Sequence, residues 1–194
     1  MADSEGTPQT SPQQLARIAG FIWGIADDVL RDLYVRGKYR DVILPMTVLR
    51  RLDAVLIPTK QAVLDMKASL DGAGITNQDQ ALRQAAGQAF YNTSKFTMRD
   101  LRSRASQAQL KADFEAYLDG FSPNVQEILD NFEFRNQIPR LSKADALGTL
   151  IEKFTTAGAL VDTGGLAPSR DGFRMRLQKG TLTTTDGPFA EFIG

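Results

Sequence analysis

Residues 11–56, SPQQLARIAGFIWGIADDVLRDLYVRGKYRDVILPMTVLRRLDAVL, decide the fold. Ser11 followed by Pro12 reads as an N-cap and a first helical position, where proline's missing N–H is not needed and its φ already suits a helix. Leu15, Ile18, Ala19, Ile22, Ala26, Val29, Leu30 and Leu33 then recur at three- and four-residue spacing, the period of one helix face. Gly37 in YVRGKYR interrupts that pattern. A second stripe, Val42, Met46, Leu49, Leu52 and Leu56, predicts another helix, started or kinked by Pro45.

The pattern continues outward from these two helices. A third helix is expected from near Pro58 to just before DGAG at 71–74, and a short one over 77–89 capped by Thr76. FYNTSKF at 90–96 has no helical period and reads as a structured loop, with helices resuming near Thr97. Ser122 and Pro123 repeat the cap signature before VQEILDNF, and Ser142 precedes KADALGTLIEKF after a break at Pro139. The expectation is an all-α bundle of about seven helices over residues 11–156. Residues 1–10 are small and polar and are expected to be a disordered leader, since they bury too little to offset ordering entropy. Residues 157–194, rich in Gly, Thr, Pro and Ser, read as an irregular tail in which FRMRLQ and TLTTT form at most a short hairpin.

Composition removes several chemistries. With no cysteine there are no disulfides or thiolate zinc sites, and with no histidine the commonest metal ligand and general base are missing. The 23 basic and 23 acidic side chains balance, so attraction to nucleic acid must come from local patches. No apolar run approaches the roughly 20 residues that span a bilayer, and the polar start is not a signal sequence, which predicts a cytoplasmic protein with no membrane contact. Asp27 and Asp28 are helix neighbours pointing about 100° apart, unsuited to act as a shared acid and base. DTGGLAPS at 162–169 follows no strand and opens no helix, as a phosphate cradle would require.

Charge is unevenly distributed. Residues 31–51 hold Arg31, Arg36, Lys38, Arg40, Arg50 and Arg51 against Asp32 and Asp41, and residues 95–111 hold Lys95, Arg99, Arg102, Arg104 and Lys111 against Asp100. Residues 112–134 carry six acids and no base. Basic clusters of this kind suit phosphate contacts, and equally suit solvated helix faces. On a helical wheel Arg50 and Arg51 are placed opposite the stripe of Leu49, Leu52 and Leu56 and so face outward, while Arg99 and Arg102 share a face by their spacing. The candidate nucleic-acid-binding residues are therefore Arg36, Lys38, Arg40, Arg50, Arg51, Lys95, Arg99 and Arg102. Trp23 and Tyr34 are assigned to the core rather than to a partner surface.

The run FIWGIADDVLRDLYVRGKYRDVILPMTVLRRLDAVL at 21–56 resembles the start of type I restriction-modification modification subunits. The resemblance extends through PTK at 58–60, FYNTSKFT at 90–97, LDGFSPNVQEILDNFEF at 118–134 and LSKADALGTLIEKF at 141–154. It implies a helical N-terminal domain ahead of a Rossmann-like domain that methylates adenine N6 with S-adenosylmethionine, in a complex of two modification subunits and one specificity subunit. That chemistry extrudes the base into a pocket beside an N/D-P-P-F/Y motif. TDGPF at 185–189 is only an echo of that motif, and the glycine-rich donor loop is missing, so this chain alone is expected to be inactive and without cofactor. The tail from residue 157 does not resemble the family, which suggests a truncated, rearranged or frameshifted reading frame. The expected role is to help clamp double-stranded DNA and to assemble with the specificity subunit and a second modification subunit. The alternative is a helical protein-protein scaffold without DNA contact, and a more distant one is a self-sufficient methyltransferase.

Overall fold

The first helical stripe starts at Pro12 and, before it ends, changes pitch. α1 (Pro12–Ile25) passes without interruption into a π turn, Ala26–Leu30, before a 3-10 turn at Arg36–Lys38 and α2 (Arg40–Leu56). α3 (Lys60–Gly72), α4 (Asp79–Ala86), α5 (Met98–Arg102), α6 (Gln107–Asp119), α7 (Pro123–Asn131), α8 (Ile138–Lys143) and α9 (Ala146–Thr156) follow, with 3-10 turns at Ile57–Thr59 and Phe134–Gln137. The computed structural model describes residues 12–102, 107–156, 173–178 and 181–186. The expected leader, the expected cap Ser11, Arg104 and the tail residues 157–172, 179–180 and 187–194 lie outside the described residues.

α9 is the helix the others gather on. Its Leu147, Leu150, Ile151 and Phe154 recur at i, i+3, i+4 and i+7 and are fully buried, against α2, α5, α6, α8 and the π turn. Phe154 meets Phe21 of α1 edge to face with ring centroids 5.3 Å apart. α2 contributes Val42, Met46, Leu49 and Leu56 to the same core, and α6 contributes Phe114 and Tyr117. Phe134, from the 3-10 turn, packs edge-on against Phe114 at 6.1 Å. Truncating a buried aromatic side chain of this size to alanine costs about 3–5 kcal/mol, so each of these rings is a large part of what holds the bundle together.

Local chemistry explains where the helices end and where expectation and structure part. Gly87 adopts φ 62°, a left-handed cap that most side chains resist, and α4 stops there. α4 begins at Asp79 with Gln78 at the N-cap position, not at Thr76. Pro139 lies in the first turn of α8, which needs no N–H from it, and so starts a helix instead of breaking one. Ser142 therefore falls inside α8, and the break comes at Asp145, whose φ is 60°. Pro45 lies inside α2, which starts earlier, at Arg40. Ser122 occupies the N-cap position of α7, but its hydroxyl donates to Asn124 Oδ1 at 2.7 Å rather than capping the backbone.

Trp23 is 64% exposed, contrary to its assignment to the core. Ile25, not Trp23, turns inward where the π turn begins. Tyr34 is buried. Among the described residues no helix is long and apolar enough to cross a membrane. The segment Asp162–Gly194 is a separate unit from Met1–Val161, and in it β1 (Phe173–Gln178) and β2 (Thr181–Asp186) pair as an antiparallel hairpin with Phe173 opposite Asp186.

Candidate nucleic-acid interface

The first basic cluster forms around a single carboxylate. The π turn ends at Leu30, and the chain passes Tyr34 and turns through Arg36–Lys38 before α2 starts at Arg40, so three exposed cations fall within five residues. Lys38 Nζ is 3.1 Å from Asp41 Oδ2, and Arg40 Nε is 3.5 Å from Asp41 Oδ1. Arg36 is exposed and has no carboxylate partner among the described residues. This segment thus presents more positive than negative charge, which acts within about 10 Å at 0.1 M salt and weakens as salt rises.

The second cluster sits on α5. Thr97 and Asp100 form a reciprocal cap: Thr97 N–H and hydroxyl both donate to Asp100 Oδ2 at 2.8 Å, and Asp100 N–H donates to Thr97 Oγ1 at 3.3 Å. That cap fixes the start of a short helix from which Arg99 and Arg102 project as exposed residues. Arg102 Nη2 pairs with Glu152 Oε1 of α9 at 3.3 Å, whereas Arg99 has no acidic partner among the described residues. Lys95 lies over the Phe96 ring at 5.0 Å. Among the described residues no hydrogen bond or ion pair joins this cluster to the loop at 36–40.

Arg50 does not belong to either surface. It is buried, its Nε donates to the Phe154 carbonyl at 3.1 Å, and its Nη1 is 3.7 Å from Asp53 Oδ2. Successive helical residues turn by about 100°, so Arg50 lies on the flank of the Leu49 stripe and only Arg51 lies opposite it. Phe154 is in the last turn of α9, where carbonyls have no helical partner, and a buried guanidinium answers both that carbonyl and the helix dipole. Arg51 is half-exposed.

Asp53, on the buried stripe of α2 itself, anchors a polar cluster that charge counting misses. Its Oδ1 accepts from Met98 N–H and from Tyr117 hydroxyl, each at 3.1 Å. Nearby, Lys60 Nζ donates to Asn92 O at 3.2 Å and to Asn92 Oδ1 at 3.0 Å, and Asn92 Nδ2 donates to the Tyr117 carbonyl at 2.9 Å. A cavity of about 10 Å³, the room one water needs, lies between Asp53, Lys60, Asn92, Thr97 and Tyr117. The helical spacing that places Asp53 four residues after Leu49 was the available signal. Among the described residues no group of acidic side chains is placed to hold a metal ion.

Burial dominates the titration of this cluster. It pushes Asp53 above its usual range, against the opposing pull of Met98 N–H, Tyr117 hydroxyl, Arg50 and Lys60. It carries the fully buried Tyr117 well above the ordinary phenol range. Desolvation lowers Lys60 from 10.5 to about 8, with Asp53 and Asp100 resisting. Below that value Lys60 is charged in both states and the fold bears the desolvation cost. Between about 8 and 10.5 it is neutral in the fold but protonated when unfolded, so unfolding takes up a proton and stability rises with pH. Denaturant midpoints measured across this range are expected to rise more steeply for the wild type than for Lys60→Met. Equal slopes would mean that the ammonium is not desolvated.

The family model described as HsdM N-terminal domain matches residues 18–154. The chain belongs to this family. It carries the N-terminal domain of a type I restriction-modification modification subunit, and the match takes in both basic clusters, the Asp53 cluster and the whole of α9 except its last two residues. No curated protein and no solved structure matches the chain.

Proposed function

We propose that this domain helps clamp target DNA through non-specific phosphate contacts, and that it joins the specificity subunit and a second modification subunit in the type I complex. The observation that carries the DNA reading is the imbalance on two exposed surfaces: Lys38 and Arg40 share one carboxylate, and Arg36 and Arg99 have none among the described residues. Long, exposed, unneutralised cations displace counterions from the duplex without reading its sequence. Arg51 and Lys95 are proposed as further contributors, and Arg50 is left out because it is buried. S-adenosylmethionine and adenine N6 chemistry are proposed for the enzyme that such a domain serves, not for the bundle.

Assembly draws support from a different surface. Trp23 and Ile22 of α1 are exposed, and an exposed tryptophan is a common anchor of protein interfaces. The same observation favours the second reading, a scaffold that binds protein and never touches DNA. Charge reversal separates the two. Replacing Arg36, Lys38 and Arg40 with Glu, or Arg99 and Arg102 with Glu, is expected to weaken DNA binding by the assembled enzyme on every sequence. The salt slope should fall by roughly 0.9 for each phosphate that is no longer neutralised. Folding should hold, since exposed charges contribute little. Unchanged affinity and slope with both sets reversed would leave the scaffold as the function.

A further inference from the structure

A cation outside both sequence clusters is held beside the loop at 36–40. Arg140, in the first turn of α8, is exposed and has no acidic partner among the described residues, and its guanidinium carbon stands 4.4 Å above the centre of the Tyr34 ring. Tyr34 is itself buried, its hydroxyl has no hydrogen-bond partner among the described residues, and it is two residues ahead of Arg36. Both Arg140 and Asp41 lie close enough to act electrostatically on Tyr34, and Asp41 is the carboxylate that Lys38 and Arg40 share. Two segments about a hundred residues apart in sequence thereby meet at Tyr34. Lys143 is exposed three residues after Arg140, on the same face of α8.

We propose that Arg140 binds a backbone phosphate of duplex DNA on the same surface as Arg36, Lys38 and Arg40, and that Tyr34 is the positioning residue that sets its reach. The inference rests on the DNA-clamping reading above. Stacking on an aromatic face suits a guanidinium because it fixes the plane while leaving the N–H edge free to point outward. The π face does this work, since the buried hydroxyl cannot reach a ligand. An unpaired arginine is also less strongly hydrated than a lysine, which favours it where a phosphate must be met directly.

The test uses the assembled enzyme and labelled duplex DNA of unrelated sequence, titrated at several salt concentrations. Arg140→Gln is expected to lower affinity on the order of fivefold to tenfold at 0.1 M salt and to reduce the salt slope by roughly 0.9, one phosphate's worth. Tyr34→Phe keeps the ring and should bind within about twofold of wild type, the uncertainty of such titrations, because the hydroxyl is not used. Tyr34→Leu should match Arg140→Gln, and the double variant should be no worse than Arg140→Gln alone. If reversing Arg36, Lys38 and Arg40 weakens binding while Arg140→Gln leaves affinity and slope unchanged, this assignment is overturned and the clamp reading stands. If neither changes binding, both are overturned. Arg140→Gln alters only an exposed side chain, so its result decides the matter even where Tyr34→Leu fails to fold.

Discussion

Replacing Gly120 with alanine is expected to lower the unfolding free energy by about 3 kcal/mol. A Cβ at this position would fall 2.5 Å from Ser94 N, 2.8 Å from Asn92 Oδ1 and 2.8 Å from Ser94 Cβ. Backbone cannot swing aside as a flexible side chain can, so the strand-like loop at 91–94 must move. That loop is clasped here: Thr93 N–H donates to Gly120 O at 2.8 Å, Ser122 N–H to Tyr91 O at 3.0 Å, and Asn92 bridges to Phe121. Moving it also strains Asn92, whose Oδ1 accepts from Ser94 N–H at 2.8 Å and from Lys60. Gly24→Ala is the control, because nothing lies within 4 Å of its Cβ and it sits within a helix, where alanine is favoured. A Gly120 variant with a denaturant midpoint as high as that of the Gly24 variant would show that the clasp is loose.

Arg50→Ala is expected to cost about 3–5 kcal/mol, the range for removing one partner of a buried ion pair. The change would leave Asp53 without its nearest cation and the Phe154 carbonyl without its donor. Burial already holds Asp53 above its usual range, so removing Arg50 should push it further and make the variant's stability fall with rising pH where the carboxyl ionises. The sign follows because the fold then keeps a proton that the unfolded chain releases. DNA affinity of the folded enzyme should stay at the wild-type level, whereas Arg51→Ala should leave stability nearly unchanged. A folded, fully stable Arg50→Ala that binds DNA poorly would reverse the assignment and put Arg50 back on the surface.

The contrast between these two arginines marks what could be read from the chain and what could not. Periodicity located the buried stripe of α2 because an apolar face repeats every turn whatever packs on it. A stripe of its own located α1, the loss of period located the loop at 90–96, the last helix was read from cap and break signals, and the resemblance to modification subunits placed the whole in its family. Polar residues near the stripe were harder. A wheel shows angle but not what lies opposite, and Arg50 sits at the edge of a helix that is covered on that side by the end of α9. Asp53 looked like one more acid, and only the approach of Met98 and Tyr117 from distant segments gives it a reason to be buried. Arg140 was invisible for the same reason, since its partner Tyr34 is brought to it by folding alone. Trp23 went wrong because it was assigned to the core as an aromatic on an amphipathic helix, although it stands outside the apolar stripe of that helix and is exposed.

The π turn at Ala26–Leu30 has a consequence for how the domain tolerates change in length. A π turn accommodates roughly one residue more than the α-helical turn it replaces. Because that turn already absorbs the extra residue, removing a single residue from Ala26–Leu30 would let the segment close into regular helix with α1 still in phase with the packed body. Trp23 and Ile22 would stay exposed and Ile25 inward. A deletion from the regular part of α1 has no such slack and would rotate everything before it by about 100° about the axis. The five residues ADDVL are thus a place where a codon can be lost without changing the face that α1 presents.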